Sequence, residues 1–303
     1  VVDGLEKDLR RIVRGEVLCD DVSRALYSTA ACIFQIWPKA AVVPRDREDV
    51  VAVVRYAAER GIPVTCRGGG SGLAGQTLGE GVILDFSRHM NRILETNQVH
   101  SWVRVQPGVV LGELNRYLRQ FGLWFPPDPS SGDVATIGGM IANNAAGAHT
   151  VKYGPTRDYV QGLECVLDDG SLSGGARWKE IEEKVSSLTR ANRPLIERWK
   201  PDVLKNSSGY HLYDDPLDMD RLVVGSEGTL AVVTEAKLKV VRRPVEKALL
   251  RITYDDLEKT GAAVLRLRPL EPSALEVIDK TMIDLVRGSV LAWQQALPDS
   301  VRA

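Results

Sequence analysis

The stretch that most constrains this chain is residues 66–77, CRGGGSGLAGQT, in which five of the ten residues from Arg67 to Gln76 are glycine. Gly70, Gly72 and Gly75 match the G-x-G-x-x-G spacing of a dinucleotide loop, and Gly70 with Gly75 spans most of a G-x-x-x-x-G-K-[ST] nucleotide loop. Neither motif is completed. In a dinucleotide fold the third glycine opens a helix whose N-terminus faces the pyrophosphate, whereas here Gly79, Gly81 and the strand-like run GVILDF follow. In a nucleotide loop the last glycine precedes the lysine that reaches the phosphates, and here Gln76 stands in that place. What remains is main chain that bends freely, with no Cβ atoms in the way and successive N–H groups able to converge on an anion. A pyrophosphate suits such a nest; a mobile turn between strands is the competing reading of this segment alone.

Alternating short strands and helices surround the loop. AAVVP reads as a buried strand. Asp46 then stands where an N-cap would, with Asp49 three residues on, and Val50, Val53, Val54 and Ala57 form a helical stripe ending at Gly61, before the strand IPVTC. After GVILDF, the runs RILET and SWVRVQPG read as strands, and LGELNRYLRQFG and residues 178–200 as helices. RLVVGSEGTLAVVTEAKLKVV reads as a strand pair broken by a Gly-bearing turn, and Arg242-Arg243-Pro244 as a boundary. The expected division is a first domain over 1–243, with a helical extension over about 1–36, and the incomplete opening of a second α+β unit over 244–303.

Composition excludes several classes of function. The chain has 303 residues, 44% hydrophobic and 26% charged, enough for one large or two modest cores. A formal net charge of −1 provides no general field for nucleic acid or an anionic membrane. Cys19, Cys32, Cys66 and Cys165 are scattered without C-x-x-C or cluster spacing, which argues for a reducing cytoplasm and against disulfides, a zinc site or an iron–sulfur cluster ligated by this segment. No H-x-H and no helical i, i+4 pair occurs among His89, His100, His149 and His211, so no metal is assigned. No run approaches the roughly 20 apolar residues of a membrane span, and the opening VVDGLEKDLRRIV lacks a signal peptide's apolar stretch. Peripheral contact with a membrane stays open.

Two further segments have the character of the glycine loop. ATIGGMIANNAAGAH, inside a Gly-, Pro- and Asn-rich stretch too long for an idle connection, offers Gly138 and Gly139 for close approach and Asn143 and Asn144 as amide donors and acceptors. GSEGTLAVVT combines Gly225 and Gly228 with a strand whose main chain can read the edge of a flat heterocycle. Alone, the first is a helix start with a polar end and the second a hairpin turn. Three such segments in one chain favour a ligand site.

With these motifs, VVPRDREDVVAVVRYAAERGIPVTCRGGGSGLAGQ, QPGVVLGELNRYL, FPPDPSSGDVATIGGMIANNAAGAH, YGPTRDYVQGLECVLDDG and VVGSEGTLAVVTEAKL, the chain closely resembles FAD-binding oxidoreductases of the PCMH type, the vanillyl-alcohol oxidase superfamily. The branch it looks most like is that of D-lactate dehydrogenases and the glycolate oxidase flavin subunit. VRGEVLCDDVSRALYSTAACIFQIWP and DFSRHMNRILE look like large bacterial members with a C-terminal iron–sulfur domain, which would put any cluster beyond Ala303. The resemblance covers roughly residues 10–290.

The resemblance implies an α+β fold, a two-lobed FAD-binding domain followed by the start of a substrate domain. It places the pyrophosphate loop on Arg67, Gly68, Gly69, Gly70, Ser71, Gly72 and on to Gln76. It places the second FAD segment on Pro127, Asp128, Thr136, Ile137, Gly138 and Gly139, with Asn143, Asn144, Gly147 and Ala148 alongside, and the third on Gly225, Glu227, Gly228 and Val232. Departures from the family pattern are Ser71-Gly72 for Thr-Ser and Ala231 for a glycine. Ser71 also stands where members that attach flavin covalently often carry histidine, so the FAD is expected to be noncovalent. A longer variable stretch commonly follows the family's counterpart of LDDG, so residues could be missing near Ser171 and Leu172.

The implied activity is oxidation of a D-2-hydroxy acid such as lactate, glycolate or 2-hydroxyglutarate by hydride transfer to flavin N5. Electrons would pass to iron–sulfur centres or a quinone. A non-catalytic flavin-binding module of a larger complex, or an oxidoreductase acting on another alcohol, shares the same cofactor domain. The family's histidine-rich segment, with its base and metal ligands, lies beyond Ala303, so no catalytic residue is named. His149 is expected to make a structural hydrogen bond, and Arg67 either neutralises pyrophosphate or braces its loop.

Overall fold

The structure, a computed structural model, describes residues 2–203 and 205–287. The chain divides into two compact units, Val1–Lys247 and Ala248–Ala303.

The first unit has two lobes, each built on a four-stranded sheet. The first lobe runs α1 (Val2–Ile12), β1 (Glu16–Leu18), α2 (Asp21–Tyr27), β2 (Ala40–Val43), α3 (Arg47–Glu59), β3 (Val64–Arg67) and β4 (Val82–Asp85). Its strand order is β1-β2-β4-β3, with β2, β4 and β3 parallel and β1 antiparallel at the edge. Every residue of β2 (AAVV) and β4 (VILD) is buried, as central parallel strands covered on both faces require. The α3 stripe Val50, Val53, Val54 and Ala57 packs onto them. Asp46 caps α3, accepting from Asp49 N at 3.2 Å. Asp49 has a larger part than a first-turn carboxylate: it is 2% exposed and accepts from the N–H groups of Arg14, Gly15 and Arg45 at 2.8–2.9 Å. Those bonds fix the loop entering β1.

The second lobe runs β5 (Ile93–Asn97), β6 (Trp102–Val105), α4 (Leu111–Leu118), β7 (Leu123–Trp124), α5 (Ile137–Ala142), α6 (Thr150–Tyr153), β8 (Val160–Val166), α7 (Ala176–Ala191), α8 (Arg193–Trp199), α9 (Met219–Val223), β9 (Val232–Lys239) and β10 (Val241–Arg242). β5-β6-β9-β8 form an antiparallel sheet, and β7 pairs with β10. Burial alternates along β9, the period-2 pattern of a strand with one face on a core. That core gathers Val103, Val105, Ala236 and Leu238 with Leu114, Leu118, Met140, Ile141 and Phe125. A smaller core joins Cys165 and Leu167 to Trp178, Met219, Leu222 and Val223.

Three local readings of the sequence are corrected. RLVV is not a strand: α9 forms there because Asp218 accepts from Arg221 N at 3.0 Å and Met219, Leu222 and Val223 fall on one helical face. The long helix over 178–200 breaks at Asn192, because Pro194 has no N–H to continue the ladder. The extension over 1–36 is not only helical, since β1 joins the first sheet.

The second unit contains α10 (Leu257–Leu267) and α11 (Lys280–Arg287). It shows no strand among its described residues. Leu249, Leu250 and Ile252 are exposed and belong to no ladder. Among the described residues no helix is long and apolar enough to cross a membrane.

Candidate cofactor site

A cleft lies where the two lobes of the first unit meet. Cys66, Arg67, Gly68, Gln76, Thr77 and Phe86 line it from the first lobe; Pro107, Thr136, Gly138, Gly139, Ile141, Ala142, Asn143, Val223, Ser226, Glu227, Gly228, Ala231 and Val233 line it from the second. Its empty space, about 650 Å³, includes open solvent at the mouth.

The glycines let the walls approach. A Cβ on Gly68 would come within 1.9 Å of Thr136 Oγ1, and one on Gly69 within 2.1 Å of Val134 O. The glycine loop therefore lies with its main chain directly on residues 134–136. That rim is itself fixed, because Ile137 N donates to Val109 O and Gly138 N to Pro107 O, each at 2.8 Å. The Thr136 hydroxyl caps α5 by accepting from Gly139 N at 3.3 Å.

Hydrogen bonding distinguishes the loop from the rest of the cleft. Among the described residues, none of the main-chain N–H groups of residues 68–77 donates to a protein acceptor; the next that does is Leu78, to Gly75 O at 3.0 Å. Polar main chain is ordinarily paired, so this run is left for water or a ligand. Two buried side-chain oxygens beside it, Gln76 Oε1 and Thr77 Oγ1, also have no partner. The Gln76 amide is oriented by donation from Nε2 to Asn143 Oδ1 at 2.8 Å, and Asn143 in turn donates to Gly139 O at 3.0 Å. Unpaired donors, buried acceptors and a cradle that side chains would fill suit an anionic, hydrogen-bonding ligand such as FAD.

The third segment is built in the opposite way. Gly225 N donates to Ile141 O and Glu227 N to Ala142 O, each at 2.9 Å, and Ser226 N to Val223 O at 3.1 Å. These bonds tie the turn to the end of α5. Arg157, 7% exposed, fastens it from behind by donating from Nη2 to Val224 O at 2.7 Å and from Nε to Arg221 O at 3.3 Å. Burial, with Arg221 nearby, lowers the Arg157 pKa from its ordinary value.

Of the residues expected at the site, the cleft brings together Arg67, Gly68, Gln76, Thr136, Gly138, Gly139, Asn143, Glu227 and Gly228. Gly69, Gly70, Ser71 and Gly72 continue the loop from Gly68 without lining the cleft. Four more lie outside the cleft lining. Ile137 is wholly buried in the core, Val232 packs into the first lobe's core between the lining residues Ala231 and Val233, and a Gly225 Cβ would meet Arg157 Nη2 at 2.8 Å. Asn144, fully buried at φ 45°, accepts from Arg157 N at 2.9 Å and donates to Asn206 O at 3.3 Å.

Pro127, Asp128, Gly147 and Ala148 also lie outside the cleft lining. Gly147 packs on Asp128 O, where a Cβ would come within 1.9 Å. Asp128 binds the Nδ1 of His149 and accepts from its main-chain N–H at 3.1 Å. His149 thus makes the structural hydrogen bond expected of it. Arg67 lines the cleft and has its guanidinium on Tyr27, donating to the carbonyl at 3.3 Å and lying 5.4 Å from the ring centroid.

Sequence reading did not name Cys66, Thr77, Phe86 and Pro107 as site residues, although each stands in a segment it singled out. It also missed residues 206–210, where Ser207 Oγ reaches Asn144 O at 3.4 Å and Tyr210 OH pairs with Thr229 Oγ1 at 2.8 Å. The signal available there was the Gly-Tyr pair in KNSSGYHL. Burial pushes the Cys66 thiol up to about 12, so it stays protonated in the cleft. Among the described residues no group of His, Cys, Asp and Glu is arranged to hold a metal.

Comparison with known proteins agrees with this geometry. Residues 38–184 match the family described as FAD binding domain. The chain is 35% identical over 305 residues to the D-2-hydroxyglutarate dehydrogenase of Escherichia coli (strain K12), covering 91% of this chain and 30% of that protein. It is 32% identical over 289 residues to the glycolate oxidase subunit GlcD of Bacillus subtilis (strain 168), covering 93% and 54%. Among solved structures, an alkyldihydroxyacetonephosphate synthase superposes with a TM-score of 0.57 at 22% identity, over 76% of this chain and 38% of that one. The chain thus spans about a third to a half of the length of these curated relatives.

Proposed function

For a chain that carries an FAD-binding domain of the PCMH type, we propose the role of cofactor-holding part of an FAD-dependent dehydrogenase of a D-2-hydroxy acid. The observation that carries the cofactor half is the run of unpaired N–H groups over residues 68–77, beside the unpartnered oxygens of Gln76 and Thr77. The N–H groups would hold the FAD diphosphate without a covalent link, since position 71 carries serine rather than the histidine to which flavin is attached. The names of the relatives, 2-hydroxyglutarate and glycolate, support the substrate class.

Bound FAD supplies the acceptor for the hydride leaving the substrate's α-carbon. The chain's own residues position and enclose. Phe86, Pro107, Ile141 and Val223 make the cleft wall apolar and exclude water. The protonated Cys66 thiol is no nucleophile there. The base that takes the hydroxyl proton is assigned to the substrate domain, of which residues 244–303 are read as the opening. Electrons would then pass to iron–sulfur centres or a quinone, in the cytoplasm or at the inner membrane's surface.

Anaerobic titration of the full-length protein with D-lactate, glycolate and D-2-hydroxyglutarate tests this. One of them should bleach the yellow flavin absorbance. A folded protein that stays colourless with added FAD defeats the cofactor assignment. A flavin that no hydroxy acid reduces defeats the substrate assignment and favours an assembly module.

A further inference from the structure

The segment joining α2 to β2 lies against the glycine loop and is itself locked. Thr29 bridges Gln35, Ile36 N donates to Ser28 O at 3.0 Å, and Gln35 Nε2 donates to the buried Ser28 Oγ at 3.1 Å. At its far end Arg24 Nε donates to Pro38 O at 2.8 Å. The result is a closed loop over residues 28–36 that does not depend on the cleft for its shape.

This loop and Tyr27, the last residue of α2, reach the glycine loop at three points. Ala31 N donates to Gly70 O at 3.0 Å. The Phe34 ring sits on Gly75, close enough that a Cβ there would come within 2.9 Å of its Cδ2. Tyr27 accepts the Arg67 guanidinium at its carbonyl, and its hydroxyl donates to Asp85 Oδ2 at 2.6 Å. Arg67 and Asp85 are register partners on β3 and β4, so Tyr27 spans the C-terminal end of β3, from which the glycine loop emerges, and that of β4. Burial and Asp85 hold the Tyr27 hydroxyl well above its ordinary pKa, so it remains a donor.

A run whose N–H groups bond to no protein atom has little of its own to hold it in one shape, and ordering it would be charged against ligand affinity. Resting on the FAD reading above, we propose that Tyr27 and Phe34 are positioning residues for the diphosphate: they fix the glycine loop from outside so that its N–H groups converge before the ligand arrives.

The test uses the whole chain freed of flavin, titrated with FAD, with ADP and with riboflavin, for wild type, Tyr27→Phe, Phe34→Ala and Phe34→Leu. Phe34→Ala and Tyr27→Phe should each weaken FAD and ADP about tenfold, leaving riboflavin, which has no diphosphate, unchanged. Phe34→Leu should recover most of the loss. Unchanged FAD and ADP binding in both variants overturns the proposal. So does an equal loss for riboflavin, which marks general loosening of the cleft. A wild type that binds none of the three defeats the FAD reading itself, a different result from variants that merely match a binding wild type. Phe34 is half exposed, so its truncation leaves the fold standing should Tyr27→Phe fail to fold.

Discussion

Two glycine-bearing segments face each other across the cleft, and they look alike in sequence: CRGGGSGLAGQ and VVGSEGTL. Their hydrogen bonding is opposite. Residues 68–77 give none of their main-chain N–H groups to the protein, whereas Gly225, Ser226, Glu227 and Thr229 all donate to main-chain carbonyls. Glycine in the first segment is left-handed at Gly70 and Gly75, with φ 64° and 84°, and at Gly68 and Gly69 lets the loop close on the opposite lobe. Glycine in the second permits a left-handed turn, with φ 89° at Gly225 and 77° at Gly228, that closes on α5. Glycine density alone therefore does not mark an anion site; the accounting of N–H groups does.

The largest expected effect breaks the first segment. A Cβ on Gly69 meets a main-chain carbonyl, Val134 O, at 2.1 Å, and a main-chain rim fixed to residues 107–109 has little room to retreat. Gly69→Ala should destabilise the chain by about 3 kcal/mol, the upper end for overpacking, and abolish measurable FAD binding. Denaturant unfolding and flavin fluorescence read both. A variant that keeps wild-type FAD affinity removes the close approach of the lobes from the account of the site.

Gly225→Ala addresses the second segment. It places a Cβ at positive φ and 2.8 Å from Arg157 Nη2. A loss of about 2 kcal/mol in unfolding free energy is expected, from strain and displacement of the Arg157 bond to Val224 O. FAD affinity should fall less than in Gly69→Ala. If affinity falls as far while stability holds, the turn touches the ligand directly and the contrast between the segments collapses.

Much of this was readable from the residues, and the boundary is physical. The stripe from Val50 to Ala57 and the Asp46 cap depend on local spacing, and both stand as read. The glycine loop could be separated from two familiar nucleotide motifs by single residues, Gln76 and Gly79. Asn144, Ile137 and Gly225 could not be sorted from the positions that line the cleft, because their neighbours are far away in the chain. Asn144 is decided by Arg157 and Asn206, thirteen and sixty-two residues on. The α9 error has the same origin: VV beside a glycine fits a strand until the tertiary surface that buries Met219 and Leu222 is known.

Asp220 sharpens the contrast by loading the second segment's support without touching the first. It stands on α9, and burial, with Asp218 close by, raises its carboxyl to about 6. An unfolded Asp titrates near 3.9. Above pH 6 the folded chain carries a buried charge that the unfolded chain does not; as pH falls from 6 towards 4 that penalty is relieved, and below 4 both states are protonated. Asp220→Asn should therefore raise the unfolding midpoint at pH 8, by on the order of 1 kcal/mol after allowing for partial exposure, and change it little at pH 4.5. An equal gain at both pH values would assign the effect to something other than this ionisation.

Gly72→Ala is the mildest change and the most discriminating within the glycine loop. A Cβ there meets Gln76 Nε2 at 2.4 Å, but that atom is the end of a flexible side chain, and the Gly72 φ lies outside the left-handed region. The amide can swing aside, so stability should change by less than about 0.5 kcal/mol and FAD binding by a similarly small amount. The added methyl leaves the Gly72 N–H in place, so an anion held by main-chain donors has no reason to notice it. A loss of FAD affinity as large as that of Gly69→Ala would mean that the Gln76 to Asn143 bond, broken by the displaced amide, is itself part of the ligand's grip. The unpaired Gln76 Oε1 would then be the atom to pursue, ahead of the N–H run on which the first segment's role now rests.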